Sequence, residues 1–466
     1  MSGSSWRLGL TIMPEYAQCE GVDAVLRNAL DIAGATSITT VPSVMEPALT
    51  GGVREPPADG GPGERRLLDR SLWGHRALQV RTAPSFTPDA ALYAGSAYGP
   101  PRTTELTHRQ GHIVGDLLRA CRSRNVQTWL QVMAASPPGV RVQTGGPRDE
   151  DLAIGPLGSD STERVDRNGS LASPGLRGFM RALITDLARA YPEADGFKFD
   201  WPEYPPYEFR SLFFDFNPHV AAIAARNGID FEALRARMAA LARALPSVAR
   251  AGGSEVLDRL IRERGLVALL RDTPVLAEHF RLRALLVRDY AEFLADCVRP
   301  TGKRLFLQGF PPPWNALSGF DFAALDGVPD AIGMKLYTMH WPMIERNYIT
   351  RLVEAGVGSP DTVAPLVQAA MATRAAPLAF ENLHYPEPHE RHPADDAEIA
   401  AKIATAQTAV TRSEFWALAH GYGPLEDVRR RLRVAASAGN VNMNRYGYLD
   451  DRKLQMIGDE CRGAVR

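Results

Sequence analysis

One feature constrains this chain more than any other: strand-like and helix-like runs alternate along nearly all of its 466 residues. Eight runs read as strands: Trp6–Met13, Ser37–Val44, Val126–Met133, Asp195–Asp200, Lys303–Phe310, Asp330–Met339, Phe415–Gly423 and Asn440–Tyr448. They are short and apolar, and Gly, Pro or polar residues bound them. Between them lie stretches with the i, i+3, i+4 recurrence of amphipathic helices. Connections of that length suit parallel strands, which need a crossover of a dozen residues or more. Eight such units predict the α/β class and a (β/α)8 TIM barrel, one domain over residues 1–466. No G-x-G-x-x-G follows the first strand, so nothing supports a dinucleotide-binding sheet. Long loops are expected after strands two and three. The first is a Pro- and Gly-rich excursion from Gly51 to Glu64, with "ALQVRTA" (Ala77–Ala83) as a possible extra strand. The second contains "TGGPRDED" and "GPLGSDS". A helical insertion over 205–275, typified by "FEALRARMAALARAL", separates strands four and five and is placed to cap the barrel mouth.

The bulk numbers remove several function classes. A net charge of −1 offers no electrostatic case for nucleic acid or an anionic membrane. No run of eighteen apolar residues is present, so no membrane span and a cytoplasmic location are expected. Four scattered cysteines form no metal or disulfide pattern. His384, His389 and His392 loosely suggest a metal site, but their segment is proline-rich and lacks an ordered carboxylate set. No metal and no cofactor are expected.

In a TIM barrel the chemistry sits at the C-terminal ends of the strands. Strand four ends in "KFDWPEY". Side chains alternate along a strand, so Lys198 and Asp200 share one face while Phe197 and Phe199 share the other. The aromatic pair belongs against the outer helices, which turns Lys198 and Asp200 into the barrel. A buried charge needs a partner, so Lys198 is expected to pair with Asp200 or another inward carboxylate. The tripeptide Pro-Glu-Tyr occurs after strand one, with Glu15, and after strand four, with Glu203. Either glutamate could be a second reacting carboxylate beside Asp200. Candidate substrate contacts at the same strand ends are Trp201 and Tyr204 on strand four, and Gln308 and Trp314 on strand five. Strand six adds Lys335, Tyr337 and His340, strand seven His420, and strand eight Asn444 and Arg445. Aromatic platforms among Asp, Glu, Asn, Gln and Arg suit sugar rings, whose faces are apolar and whose edges carry hydroxyls.

"DGFKFDW" is similar to the strand-four motif of TIM-barrel glycoside hydrolases. The α-galactosidase clan carries Lys-aromatic-Asp there, and the α-amylase clan a related Asp-Gly-Phe-Arg-x-Asp. More broadly the chain resembles the hypothetical glycosyl hydrolase-like barrels. The resemblance implies a carbohydrate or glycoside as ligand, Asp200 as nucleophile and Lys198 as a sugar contact. The chain departs from both clans in its acid. Where the first places an Asp after strand six, this sequence reads "KLYTMHWPMIE"; where the second places a Glu after strand five, it reads "LQGFPPPW". Glu203 and Glu15 remain as candidates. The expected activity is therefore glycosidic-bond hydrolysis by two carboxylates. The opening stretch from Arg7 to Pro42 also resembles xylose-isomerase-like barrels, which implies a sugar isomerase or epimerase as an alternative. A non-catalytic sugar-binding barrel is another, and Schiff-base chemistry on Lys198 or Lys335 a further one.

Overall fold

The computed structural model describes residues 6–57, 66–139, 146–158, 168–248 and 254–463. Strands β1 (Arg7–Thr11), β2 (Ser37–Thr40), β3 (Gln127–Met133), β4 (Gly196–Asp200), β5 (Arg304–Gly309), β6 (Ala331–Lys335), β7 (Glu414–His420) and β8 (Asn440–Asn444) follow the chain in order. Neighbours pair in parallel and β8 closes on β1, so the sheet is a closed (β/α)8 barrel. Each strand falls where the alternation predicts it. Four end three or four residues short of the expected limits: β2 at Thr40, β6 at Lys335, β7 at His420 and β8 at Asn444. Pairing holds a barrel strand straight only over its ladder. Beyond it the chain turns away, as at the short 3-10 helix Tyr446–Tyr448.

Two apolar zones separate the inside of the barrel from its outer jacket. Phe197 and Phe199 join the large core between sheet and helices. Trp129, Phe306, Ala331, Trp416 and Leu418 form a separate cluster in the lumen. The three large rings come from β3, β5 and β7, the alternate-strand layering of such barrels. Glycines on intervening strands make room for them. A Cβ at Gly196 would lie 2.4 Å from the Trp129 ring, and one at Gly333 would lie 2.7 Å from Phe306. The predicted parity of β4 follows, since Gly196, Lys198 and Asp200 share the inward face.

Helix Pro174–Ala190 shows why these crossovers form. Ser173 caps it by accepting from the Leu176 N–H, and Pro174 occupies its first turn. Three helices, Val220–Arg226, Phe231–Val248 and Ser254–Asp272, lie between β4 and the long helix Pro274–Val298. After β2 the chain leaves the barrel to build a three-stranded antiparallel sheet from Ser43–Pro47, Leu78–Pro84 and Val53–Glu55. The middle strand in that sheet is the one anticipated at "ALQVRTA". Residues 58–64 of the Gly51–Glu64 excursion, and residues 140–145 and 159–167 of the loop after β3, lie outside the described residues. Among the described residues no helix is long and apolar enough to cross a membrane.

Candidate active site

The segment after β4 turns sharply. Trp201 has φ +54°, in the left-handed region, and its N–H donates to Asp200 Oδ1 at 3.1 Å. A non-glycine residue held there costs about 1–3 kcal/mol and persists where its surroundings over-determine it. Here they do. Tyr204 N–H donates to the Ser318 carbonyl at 3.1 Å. Arg283, fully buried on helix Pro274–Val298, donates to the carbonyls of Ser211, Leu212 and Phe214 at 2.8–3.0 Å. Its guanidinium also covers the Tyr204 ring at 4.7 Å.

This turn brings two carboxylates to one ammonium. Lys335 Nζ, from the end of β6, lies 2.9 Å from Asp200 Oδ1 and 3.3 Å from Glu203 Oε1. The Phe310 ring supports the same ammonium at 5.0 Å. The facing carboxyl oxygens are thus no farther apart than those two contacts laid end to end. Exposure separates the pair, however. The Asp200 side chain is 17% exposed and Glu203 is wholly enclosed. Glu203 Oε2 accepts from Ser318 Oγ at 2.5 Å and from the Phe310 N–H at 3.2 Å. Burial pushes the Glu203 carboxyl above its ordinary range, against the pull of Lys335 and Ser318.

Lys198 does not take the partner expected for it. Asp200 pairs with Lys335, and the Lys198 ammonium lies over the Phe306 ring at 4.7 Å. Burial, with the second cation at Lys335, pushes it down to about 7, although Asp200 opposes the shift. The sequence could not show this exchange, because Lys335 reaches Asp200 past the intervening strand β5.

Around Asp200 the mouth is aromatic. Trp201 meets Tyr207 edge-on at 5.9 Å, and Tyr207 shares a hydrogen bond with His340 Nδ1 at 3.0 Å. Tyr337 is partly exposed, packs against the lumen cluster and lies near His340 and His420. Burial, followed by the charge on Asp200, raises the Tyr337 phenol well above its usual range. Gln131 on β3 and Asn444 at the end of β8 are also partly exposed. Arg66 acts electrostatically on Tyr207, Tyr337 and His420, while its guanidinium lies over Tyr385 and Tyr448. Nothing local in the sequence marks Arg66, Phe310 or Ser318, since each belongs to this site only through tertiary contact.

Most other candidates are buried and held by partners of their own. Glu15 is fully buried and interacts with Arg445, which pairs with Glu55. Trp314 lies in the outer core, edge-on to Trp341 at 5.2 Å, because "FPPPW" runs into a short helix that turns the indole inward. Tyr204 is buried and donates to Asp215 at 3.1 Å. His420 is buried, with Nδ1 accepting from the Tyr422 N–H at 3.1 Å. Gln308 is buried in the lumen opposite Gly333. His392 bonds Thr338 at 2.7 Å, and His384 bonds Glu390 at 3.0 Å. Among the described residues no group of three His, Cys, Asp or Glu is disposed to hold a metal ion.

No family model and no curated protein matches this chain. Solved structures align with it along most of its length at low identity. The catalytic domain of a β-amylase from Paenibacillus polymyxa is 9% identical, with a TM-score of 0.49, covering 97% of this chain and 95% of that one. The PgaB (BpsB) glycoside hydrolase domain from Bordetella bronchiseptica is 12% identical, with a TM-score of 0.45 and coverage of 95% and 94%. A β-galactosidase from the psychrophilic Marinomonas ef1 is 12% identical with a TM-score of 0.46; 94% of this chain aligns, over 54% of that structure's length.

Proposed function

We propose that this barrel is a carbohydrate-active hydrolase and that Asp200 is its reacting carboxylate, as nucleophile or general base. One observation carries the reading. Asp200 is an open carboxylate at the inner end of β4, fixed by the ammonium of Lys335 at 2.9 Å and by its own turn. Strands and strand ends of the barrel carry rings and amides that suit a sugar: Trp201 and Tyr337 for the faces, Gln131 on β3 and Asn444 on β8 for the hydroxyls. A neutral glycoside is the ligand class these groups favour. The test is a panel of 4-nitrophenyl glycosides with wild type and Asp200→Asn. Turnover of one glycoside that falls by about 10²–10⁴-fold in the variant supports the assignment; a variant as fast as wild type overturns it.

One observation favours a second reading. An amine held near 7 is partly unprotonated at neutral pH, the state a Schiff-base lysine needs. Lys198 is only 1% exposed, which argues against ready access by a carbonyl compound. Borohydride treatment in the presence of dihydroxyacetone, followed by peptide mass mapping, decides between them. A reduced adduct on Lys198 selects amine chemistry.

A further inference from the structure

We infer that Glu203 serves the reaction through Lys335, as the buried counter-ion that keeps this ammonium against Asp200, and that it never meets the substrate. The inference rests on the hydrolase reading of this site and makes Glu203 a positioning residue.

Geometry argues first. A general acid must come within about 2.6–3.2 Å of the atom it protonates. Glu203 is 0% exposed, and both of its oxygens are engaged. Oε1 faces Lys335 at 3.3 Å, while Oε2 receives the Ser318 hydroxyl at 2.5 Å and the Phe310 N–H at 3.2 Å. These contacts tie it to the loop after β5 and to the end of β6.

Charge argues second. Asp200 carries its negative charge before it reacts. It loses that charge when its oxygen bonds to the anomeric carbon as the glycosidic C–O bond breaks, the leaving oxygen taking its proton from water, or when it takes a proton from the attacking water. The Lys335 side chain is 1% exposed. With Asp200 neutralised, a lone ammonium at that depth would stand uncompensated, and unpaired buried charge is strongly unfavourable. Glu203 keeps one carboxylate against it throughout. The dependence is mutual, because burial favours the neutral carboxyl of Glu203 and the ammonium favours its ionised form. Phe310 serves both members, with its N–H on Glu203 and its ring against Lys335.

The two roles predict different kinetics. A residue that protonates the leaving group matters little when that group is already good, as 4-nitrophenolate is, and greatly when it is an alkoxide. A counter-ion affects both alike. Glu203→Gln should therefore lower kcat by the same factor, about tenfold, on the 4-nitrophenyl glycoside that wild type cleaves and on the methyl glycoside of the same sugar, with KM within twofold. A merely structural role would lower the folded fraction and leave kcat per folded enzyme unchanged. Loss confined to the methyl glycoside, or no loss per folded enzyme, overturns the inference. Thermal unfolding supplies a second arm that needs no substrate. Adding Glu203→Gln to Lys335→Met should raise the Tm of the single variant, because it removes a carboxylate stranded without its cation. A further fall, as large as Glu203→Gln causes in wild type, overturns the pairing. If Lys335→Met does not fold, recovery of folded protein in the double variant gives the same answer. A panel with no wild-type turnover would sink the hydrolase reading, and the thermal arm would then decide the pair alone.

Discussion

The two Pro-Glu-Tyr tripeptides, after β1 and after β4, bury their glutamates equally and use them differently. Pro14 opens the helix Pro14–Glu20, and Glu15 turns toward Arg445, a guanidinium that also holds Glu55. Pro202 follows the left-handed Trp201, and Glu203 turns toward Lys335, an ammonium that also holds Asp200. Each site is a cation between two acids. At the first, both glutamates are within 1% of full burial; at the second, one carboxylate opens to the mouth. A buried ion triad is common structural stock and weak support for stability or function. The open end distinguishes the second triad, which is why the proposed chemistry is given to Asp200 and not to Glu15.

This contrast can be broken at several points. The largest effect belongs to Asp200→Asn, with the loss of about 10²–10⁴-fold in kcat proposed above. Next come the two cations. Lys335→Met and Arg445→Met should each destabilise the fold by about 3–5 kcal/mol, since each strands buried carboxylates. In urea titrations, comparable losses for the two would show that the triads are structurally alike and differ only in access. A smaller, pH-dependent effect belongs to Lys198. Its proton leaves near 7 in the folded chain but near the ordinary 10.5 in the unfolded one. Between those values the unfolded chain binds the extra proton, so stability rises with pH. Wild type should gain on Lys198→Met from about pH 7 to pH 10 by a few kcal/mol, at about 1.4 kcal/mol per unit. A gap that does not change with pH would show that Lys198 is charged throughout. The smallest effect is expected for Glu15→Gln, which should cost about 1–3 kcal/mol in stability and leave kcat per folded enzyme within about twofold. A kinetic loss as large as that of Glu203→Gln would make the two tripeptides equivalent after all.

The sequence exposes whatever depends on local period. The alternation of runs is enough to place all eight strands, and a period of two is enough to turn Lys198 and Asp200 inward. Partner choice is not local. Lys335 could be placed on an inner face, but its reach past β5 to Asp200 depends on barrel closure. Ser318 has no motif at all; it enters through a hydrogen bond spanning 115 residues. Trp314 misleads for a related reason. Its place after strand five suggests a substrate contact, whereas the short helix Trp314–Ser318 buries the ring completely. For Glu203, a position three residues after Asp200 shows neither its full burial nor its contact with Lys335.

The aromatic layer of Trp129, Phe306 and Trp416 has a consequence for traffic. It stoppers the barrel beneath Lys198, whose ammonium rests on Phe306 itself. The layer therefore closes the lumen on the side of Phe306. Of the three groups of the triad, Asp200 is the most exposed, so exchange with bulk solvent begins at its carboxyl and comes latest to the two groups that solvent barely touches.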